Sequence, residues 1–300
     1  MPIIHRIFFS TLLAGLTLLG GGCVSVPRES PRTPPAVAAK RPLKIGLALG
    51  GGAARGFAHV GVIQVLEENG IRPDLVVGTS AGSLVAAIYA SGKTGAQLQA
   101  VAENMEEAAF TDWTLPIFSR GVLRGEALAR YVNAQVGGKL MENMALPLGV
   151  VATDLGTGQG ILFQRGDTGV AVRASSAVPA VFLPVKIGSH EYVDGGLVSP
   201  VPVRYARQMG ADIVIAVDIS SAPENNPSAD TVQILLQTFA IMGKSINTFE
   251  LRDADIVVRP SLIGMKSADF TSRKKAIESG RQAMQSVLPQ LKLALATKVN

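Results

Sequence analysis

The stretch that decides the fold begins Lys44-Ile-Gly-Leu-Ala-Leu49, runs through Gly50-Gly-Gly-Ala-Ala-Arg-Gly56 and the segment Phe57 to Asn69, and ends in Asp74-Leu-Val-Val-Gly78. A short apolar run, a glycine loop, a helical segment stopped by Gly70 and a second apolar run read as two buried strands joined by a helix. Such a βαβ unit implies a parallel sheet covered by helices. Working outward, Leu148–Thr153, Gly160–Gln164, Ala211–Val217 and Ile256–Val258 read as further strands, and Thr231 to about Leu251 as a helix.

Three chemistries place glycines after a first strand. Dinucleotide binding needs Gly-x-Gly-x-x-Gly and an acidic residue ending the second strand. Here Ala53 stands where the third-from-last position needs glycine before Gly56, and the second strand ends in Gly78-Thr79-Ser80, with no carboxylate for a ribose. The only approach to a phosphate-cradling loop, Gly92-Lys93-Thr94, has Ala87 in its first glycine position and follows a helix, so it is discarded. An oxyanion hole built from backbone amides is left.

Gly78-Thr-Ser-Ala-Gly82 supports it, because this Gly-x-Ser-x-Gly lies between the strand Leu75–Val77 and a helix over Ser83–Ala90. A strand-to-helix elbow holds its serine in a tight turn with the hydroxyl lifted above the sheet. A serine that merely caps the helix is the plainer reading. A hydroxyl nucleophile needs a base. Of three histidines, His5 lies in an apolar leader, and none follows His190. A triad of Ser80, Asp154 or Asp167, and His190 is open at this point. His59 reads as a polar residue satisfied by backbone near the glycine loop. Asp194, in Tyr192-Val-Asp-Gly-Gly196, follows a short strand Glu191–Val193 and precedes two glycines that let the chain turn sharply, which presents a carboxylate at the sheet's rim. Asp154, Asp218 and Asp255, near strand ends, read as turn or capping residues, and no metal is expected.

Leu49-Gly-Gly-Gly-Ala-Ala-Arg-Gly-Phe-Ala-His-Val-Gly-Val62, Gly78-Thr-Ser-Ala-Gly82, Arg173-Ala-Ser-Ser-Ala-Val-Pro179 and Asp194-Gly-Gly196 resemble, in order and spacing, the motifs of bacterial patatin-like phospholipases. The resemblance covers at least residues 44–207. It implies a three-layer α/β/α sandwich with a mainly parallel central sheet. It also implies a Ser–Asp dyad without a catalytic histidine and no cofactor. Carried over, Ser80 is the nucleophile and Asp194 its general base. The amides of Gly51, Gly52 and Ala53 line the oxyanion hole, with Arg55 ordering that loop. Ala53 replaces a glycine that many members carry. The implied function is hydrolysis of lipid carboxylic esters, of the phospholipase A or lysophospholipase kind. An envelope-anchored scaffold or binding protein that retains the hydrolase fold is the alternative.

The ends of the chain carry an address and most of the positive charge. Residues 1–22 combine Arg6 with an apolar run from Ile7 to Leu19 and Gly20-Gly-Gly22, which describes a secretory signal. That run is shorter than the ~20 residues of a permanent span. Cys23, the single cysteine, follows the small residues and resembles a bacterial lipoprotein processing site, although Leu19 stands four residues before it where the pattern has leucine at three. An ordinary secreted protein with an incidental thiol is the other reading. Val24 in second place suggests, by analogy, sorting to the outer membrane with the domain facing the periplasm. Residues 23–43, with Pro27, Pro31, Pro34, Pro35 and Pro42, form a tether. The catalytic core is then 44–207, and 208–300 completes the same domain.

With 300 residues, 47% hydrophobic and 17% charged, the chain can bury a large core, which excludes intrinsic disorder. Its net charge of +5 suggests a polyanionic partner until it is located. The tether holds Arg28, Arg32, Lys40 and Arg41 against Glu29. Residues 271–300 hold Arg273, Lys274, Lys275, Arg281, Lys292 and Lys298 against Glu278. The body between them is mildly acidic, which disfavours nucleic acid. The C-terminal stripe Ile277, Met284, Leu288, Leu291 and Leu295, read as broken at Pro289, is expected to pack on the domain, with its basic face available to anionic headgroups. The apolar region Ala109–Arg124 reads either as a lid or acyl-chain wall, or as simple packing.

Overall fold

The computed structural model describes residues 42–106, 112, 121–220, 231–265 and 269–299, all within the unit Pro42–Asn300. The expected signal, Cys23, nearly all of the tether, most of the 109–124 region and the expected loop 221–229 lie outside the described residues.

Among the described residues, ten strands and eight α-helices follow in the order β1 (Ile45–Leu49), α1 (Ala58–Glu68), β2 (Leu75–Thr79), α2 (Ala81–Ala90), α3 (Gly95–Glu103), β3 (Gly121–Leu123), α4 (Glu126–Gln135), β4 (Leu148–Asp154), β5 (Gly160–Phe163), α5 (Thr168–Ser175), β6 (Ala180–Phe182), β7 (Val185–Ile187), β8 (His190–Asp194), α6 (Val203–Gln208), β9 (Ile213–Val217), α7 (Thr231–Glu250), β10 (Ile256–Val258) and α8 (Arg273–Val299). The main sheet runs β10-β9-β1-β2-β4-β8-β7, with β5 also on β4; β3 and β6 form a separate pair. Its half from β10 to β4 is parallel, whereas β5, β7 and β8 pair antiparallel. The sheet is therefore mixed, with helices on both faces.

Alternation along the buried strands sorts side chains to those two faces. Leu47, Leu49, Val76, Val150, Ile213 and Ile215 point into the larger core, against α1, α2 and α8. Ala48, Val77, Val151, Val214 and Ala216 point into a thinner one, against α6.

β4 sets the position of the site. β5 pairs Val150 to Thr153 along one edge of it. Along the other edge β2 pairs up to Val151, opposite Thr79, and β8 begins at Ala152, opposite Asp194. The end of a parallel strand and the end of an antiparallel one thus meet on a single edge.

α8 lies along α1 at backbone contact. A Cβ on Gly61 would overlap the Ile277 carbonyl, and one on Gly280 would overlap that of Ala58. Met284 and Leu291 are fully buried there, as is Ala276. The helix continues through Pro289, which corrects the expected break. Proline's missing amide costs one intrahelical bond, and packing on both sides of it holds the helix together. Three of its basic residues also bond to the body. Arg273 donates to the carbonyls of Ala102 and Glu103. Arg281 forks onto Glu68 at 2.7 and 3.0 Å, and Lys292 reaches Asn69. These cations bond to residues of the body, because α8 is pressed against α1; Lys292, like Lys274 and Lys275, is exposed.

Candidate active site

Ser80 stands between β2 and α2 with φ 52° and ψ −124°, in the positive-φ region that a side chain adopts only under strain. The flanking glycines are steric requirements. A Cβ on Gly78 would overlap the Gly82 carbonyl, and one on Gly82 would overlap that of Leu49. The Ser80 amide donates to Ser175 Oγ at 2.8 Å, and Ser175 Oγ donates in turn to the Val151 carbonyl at 2.5 Å. The Ser80 carbonyl receives the Ser83 amide and hydroxyl. The hydrogen bonds that hold the elbow are thus made by the Ser80 backbone and leave its hydroxyl uncommitted to them.

The acid beside it is Asp194, whose carboxyl the Ser80 side chain, as a hydrogen-bond donor, pulls down against the effect of burial. Asp194 is 6% exposed. Its Oδ1 accepts the Gly196 amide at 2.7 Å, and its carbonyl accepts the Thr153 hydroxyl at 2.8 Å. Burial raises its pKa to about 6, and the hydrogen bonds from Ser80 and Gly196 act in the opposite direction. A carboxylate so placed is a stronger base than one in water.

The histidines stand elsewhere. His59 is fully buried, and its Nε2 hydrogen-bonds the Gly50 carbonyl at 2.8 Å. Burial lowers its pKa to about 4, so it is neutral and supports the glycine loop. His190 Nδ1 bonds Asp154 Oδ2 at 2.7 Å, but it starts the strand that Asp194 ends, which puts the two about 13 Å apart along β8. Asp154 also caps the following turn through the amides of Gly156 and Thr157, and these contacts, led by Thr157, hold its carboxyl below the ordinary range. Asp167 caps α5 through the Val170 amide and binds Asn133. No member of the alternative triad reaches Ser80. Asp218 accepts the Ser220 amide and hydroxyl, and Asp255 pairs with Arg207 and Lys298.

In the glycine loop, Gly50 donates its amide to Val217 and Gly51 to the Pro200 carbonyl, at 3.0 and 2.9 Å. The Gly51 amide is therefore committed, which corrects the expected trio. Gly50 continues the pairing of β1 with β9, and Gly51 turns to the segment that precedes α6, so both donors are consumed. Among the described residues the amides of Gly52 and Ala53 have no protein acceptor. Gly51 abuts the Ser80 side chain, and Gly52 fits only because it lacks a Cβ, which would meet Ile219 at 2.8 Å. Ala53 opens a 3₁₀ turn, Ala53–Phe57, with φ 51°. Arg55 lies buried in that turn beside Asp218, and burial pushes its pKa down while Asp218 acts in the opposite direction.

A cleft of about 310 Å³ opens at Ser80. Its walls are apolar, with Phe57, Leu84, Met105, Leu128, Val181 and Phe182 among them, and Ala53 sits at the rim. Leu123, at the edge of the expected lid, contributes to it. Sequence reasoning missed Ser175, although it falls inside the quoted Arg173–Pro179 motif. It also missed the buried chain behind the site, in which Thr79 Oγ1 donates to the Ser199 carbonyl and Ser199 Oγ to Glu250.

Comparison with known proteins gives a consistent picture. Residues 47–207 match the family model described as patatin-like phospholipase. An uncharacterized NTE family protein of Mycobacterium tuberculosis is 35% identical over 188 residues, 62% of this chain and 52% of that protein. Patatin-like phospholipase domain-containing protein 6 of Mus musculus is 33% identical over 232 residues, 74% of this chain and 16% of that protein. The chain thus spans about half the length, or less, of these curated relatives. The crystal structure of VipD from Legionella pneumophila shares the fold, with a TM-score of 0.57 at 16% identity over 83% of this chain and 67% of that one.

Proposed function

This chain belongs to the patatin-like phospholipase family, and on that premise we propose that it is a serine acyl hydrolase acting on lipid carboxylic esters through Ser80 and Asp194. The observation that carries the reading is a serine on a strained elbow beside a buried carboxylate, at the mouth of an otherwise apolar cleft.

The acyl chain lies in the cleft, with its ester carbonyl at Ser80. Ser80 Oγ attacks the carbonyl carbon as its proton passes to Asp194. Negative charge developing on the carbonyl oxygen is met by the Gly52 and Ala53 amides, and donors of this kind are each typically worth 10²–10³ in rate. Asp194 then returns the proton to the departing alcohol. Water, deprotonated by the same carboxylate, releases the acyl group from Ser80. The proposed setting is the bacterial envelope, supported by the apolar run Ile7–Leu19 and the position of Cys23.

Mass spectrometry of phospholipids, lysophospholipids and neutral lipids incubated with the protein and with its Ser80→Ala variant tests the reading and identifies the ester. Loss of free fatty acid and of fluorophosphonate labelling in the variant is expected. Equal turnover by both forms would overturn the assignment, and no turnover by either would favour the scaffold alternative.

A further inference from the structure

A second pocket, of about 270 Å³, lies where β9 and β10 end. It is lined by Asp218, just after β9, Arg259, just after β10, and Lys244, Asn247 and Thr248 on α7, with Ser220 at its edge. The carboxyl ends of parallel strands are where open α/β sheets hold ligands. This pocket shares no lining residue with the apolar cleft. The glycine loop separates them: Gly51 touches Ser80, and Gly52 touches Ile219, which sits between Asp218 and Ser220.

Asn247 is 4% exposed, and neither its side-chain nitrogen nor its side-chain oxygen has a hydrogen-bond partner. Leaving such groups unsatisfied is destabilising, so an empty pocket is a poor resting place for them. Asp218, the one acid among the described lining residues, is already engaged by the Ser220 amide and hydroxyl and by Arg259 Nε at 3.5 Å. Arg259, Lys244 and an amide with both a donor and an acceptor to spare then line the space, while the Ser220 and Thr248 hydroxyls are donated to Asp218 and to the Lys244 carbonyl.

We propose that this pocket binds a phosphate group bearing a protonated oxygen, as free hydrogen phosphate or as the monoester headgroup of a lipid. The anionic oxygens meet Arg259, Lys244 and the Asn247 amide nitrogen, and the P–OH donates to the Asn247 carbonyl oxygen. Sulfate, which lacks that proton at neutral pH, makes one bond fewer. The inference does not rest on the reaction proposed above, because binding is read without turnover.

Inorganic phosphate titrated calorimetrically into the full chain at fixed ionic strength is expected to bind saturably, one per molecule, and several-fold more tightly than sulfate. Affinity is unchanged in Ser80→Ala and falls at least tenfold in Asn247→Leu and in Arg259→Gln. Asn247→Leu also raises the melting temperature of the phosphate-free protein, an outcome opposite to that of losing a structural bond. Arg259 is exposed, so its variant keeps the test valid if Asn247→Leu does not fold. Absence of saturable binding, or wild-type affinity in both variants, overturns the proposal. Sedimentation with phosphatidylcholine vesicles, with and without phosphatidic acid, separates the sources. Capture that requires phosphatidic acid and Arg259 assigns a headgroup, and phosphate binding without capture assigns the free ion.

Discussion

Val151 and Ala152 are neighbours on β4, yet they pair with different strands: Val151 lies opposite Thr79 and Ala152 opposite Asp194. One step along a strand edge therefore brings the residue that precedes Ser80 beside the proposed base. Two chain segments more than a hundred residues apart are held in register by backbone pairing and need no side-chain contact to find each other. Because burial sets Asp194 at about 6, kcat/KM is expected to rise with pH through that value and then level. Asp194→Asn should lower it by about 10²–10⁴. His190→Gln should leave both rate and profile within about twofold, and its collapse with the fold intact would restore the triad.

Asp194 and His59 oppose each other in the pH dependence of stability. Asp194 is raised from 3.8 to about 6, so between those values the folded chain holds a proton that the unfolded one has released, and stability falls as pH rises. His59 is lowered from 6.5 to about 4, so across nearly the same window the unfolded chain holds the extra proton and stability rises. Each contributes roughly 3 kcal/mol, at about 1.4 kcal/mol per pKa unit, and the two nearly cancel. Urea unfolding of Asp194→Asn between pH 4 and 6.5 should expose the rising slope, steeper than wild type by about that amount. Parallel curves would show that Asp194 titrates normally.

Ala53 holds φ 51° at an exposed position. A left-handed conformation costs a residue with a Cβ about 1–2 kcal/mol, and glycine gives back about 0.4–1 kcal/mol through the unfolded state. Ala53→Gly should raise stability by about 0.5–1 kcal/mol, seen as a higher urea midpoint at unchanged slope.

Gly280→Ala would drive a methyl group into the Ala58 carbonyl. Neither backbone can yield without parting α1 from α8, so a loss of about 3 kcal/mol or more is expected. The 3₁₀ turn that begins at Ala53 leads directly into α1, so catalytic rate should fall along with the melting temperature. A change under 1 kcal/mol would mean that the two helices are free to separate.

Cys23→Ser should move the protein from the membrane fraction to the soluble fraction of the cells that export it, without changing its rate on dispersed ester. Unchanged partitioning would favour the incidental thiol.

Much of the site was legible because its motifs are local. The elbow at Ser80 needs glycines within two residues on each side, and Asp194 needs them just after it, so both leave a mark on the linear chain. The pairing of Ser80 with Asp194 is not local and came only from resemblance; β4, which brings the two together, carries no polar signature in Leu148–Val151. The fate of the Gly51 amide was hidden for the same reason, since its acceptor, Pro200, lies far along the chain. Pro289 misled because proline's rule concerns an isolated helix, whereas α8 is held by Met284 and Leu291 on either side of it. The partners of Arg273, Arg281 and Lys292 were hidden because acceptors on α3, on α1 and at its end cannot be seen from α8 alone.

The apolar cleft also has a bearing on how fast a turnover can end. Each methylene it shelters favours staying by ~0.8 kcal/mol, and that attraction is the same before and after the ester is cut. A released long-chain fatty acid therefore has little reason to leave for water, and exit rather than bond cleavage would limit the steady state. Such a catalyst works fastest against a sink that takes up its product, a bilayer or a carrier protein, and stalls in plain buffer after its first few cycles.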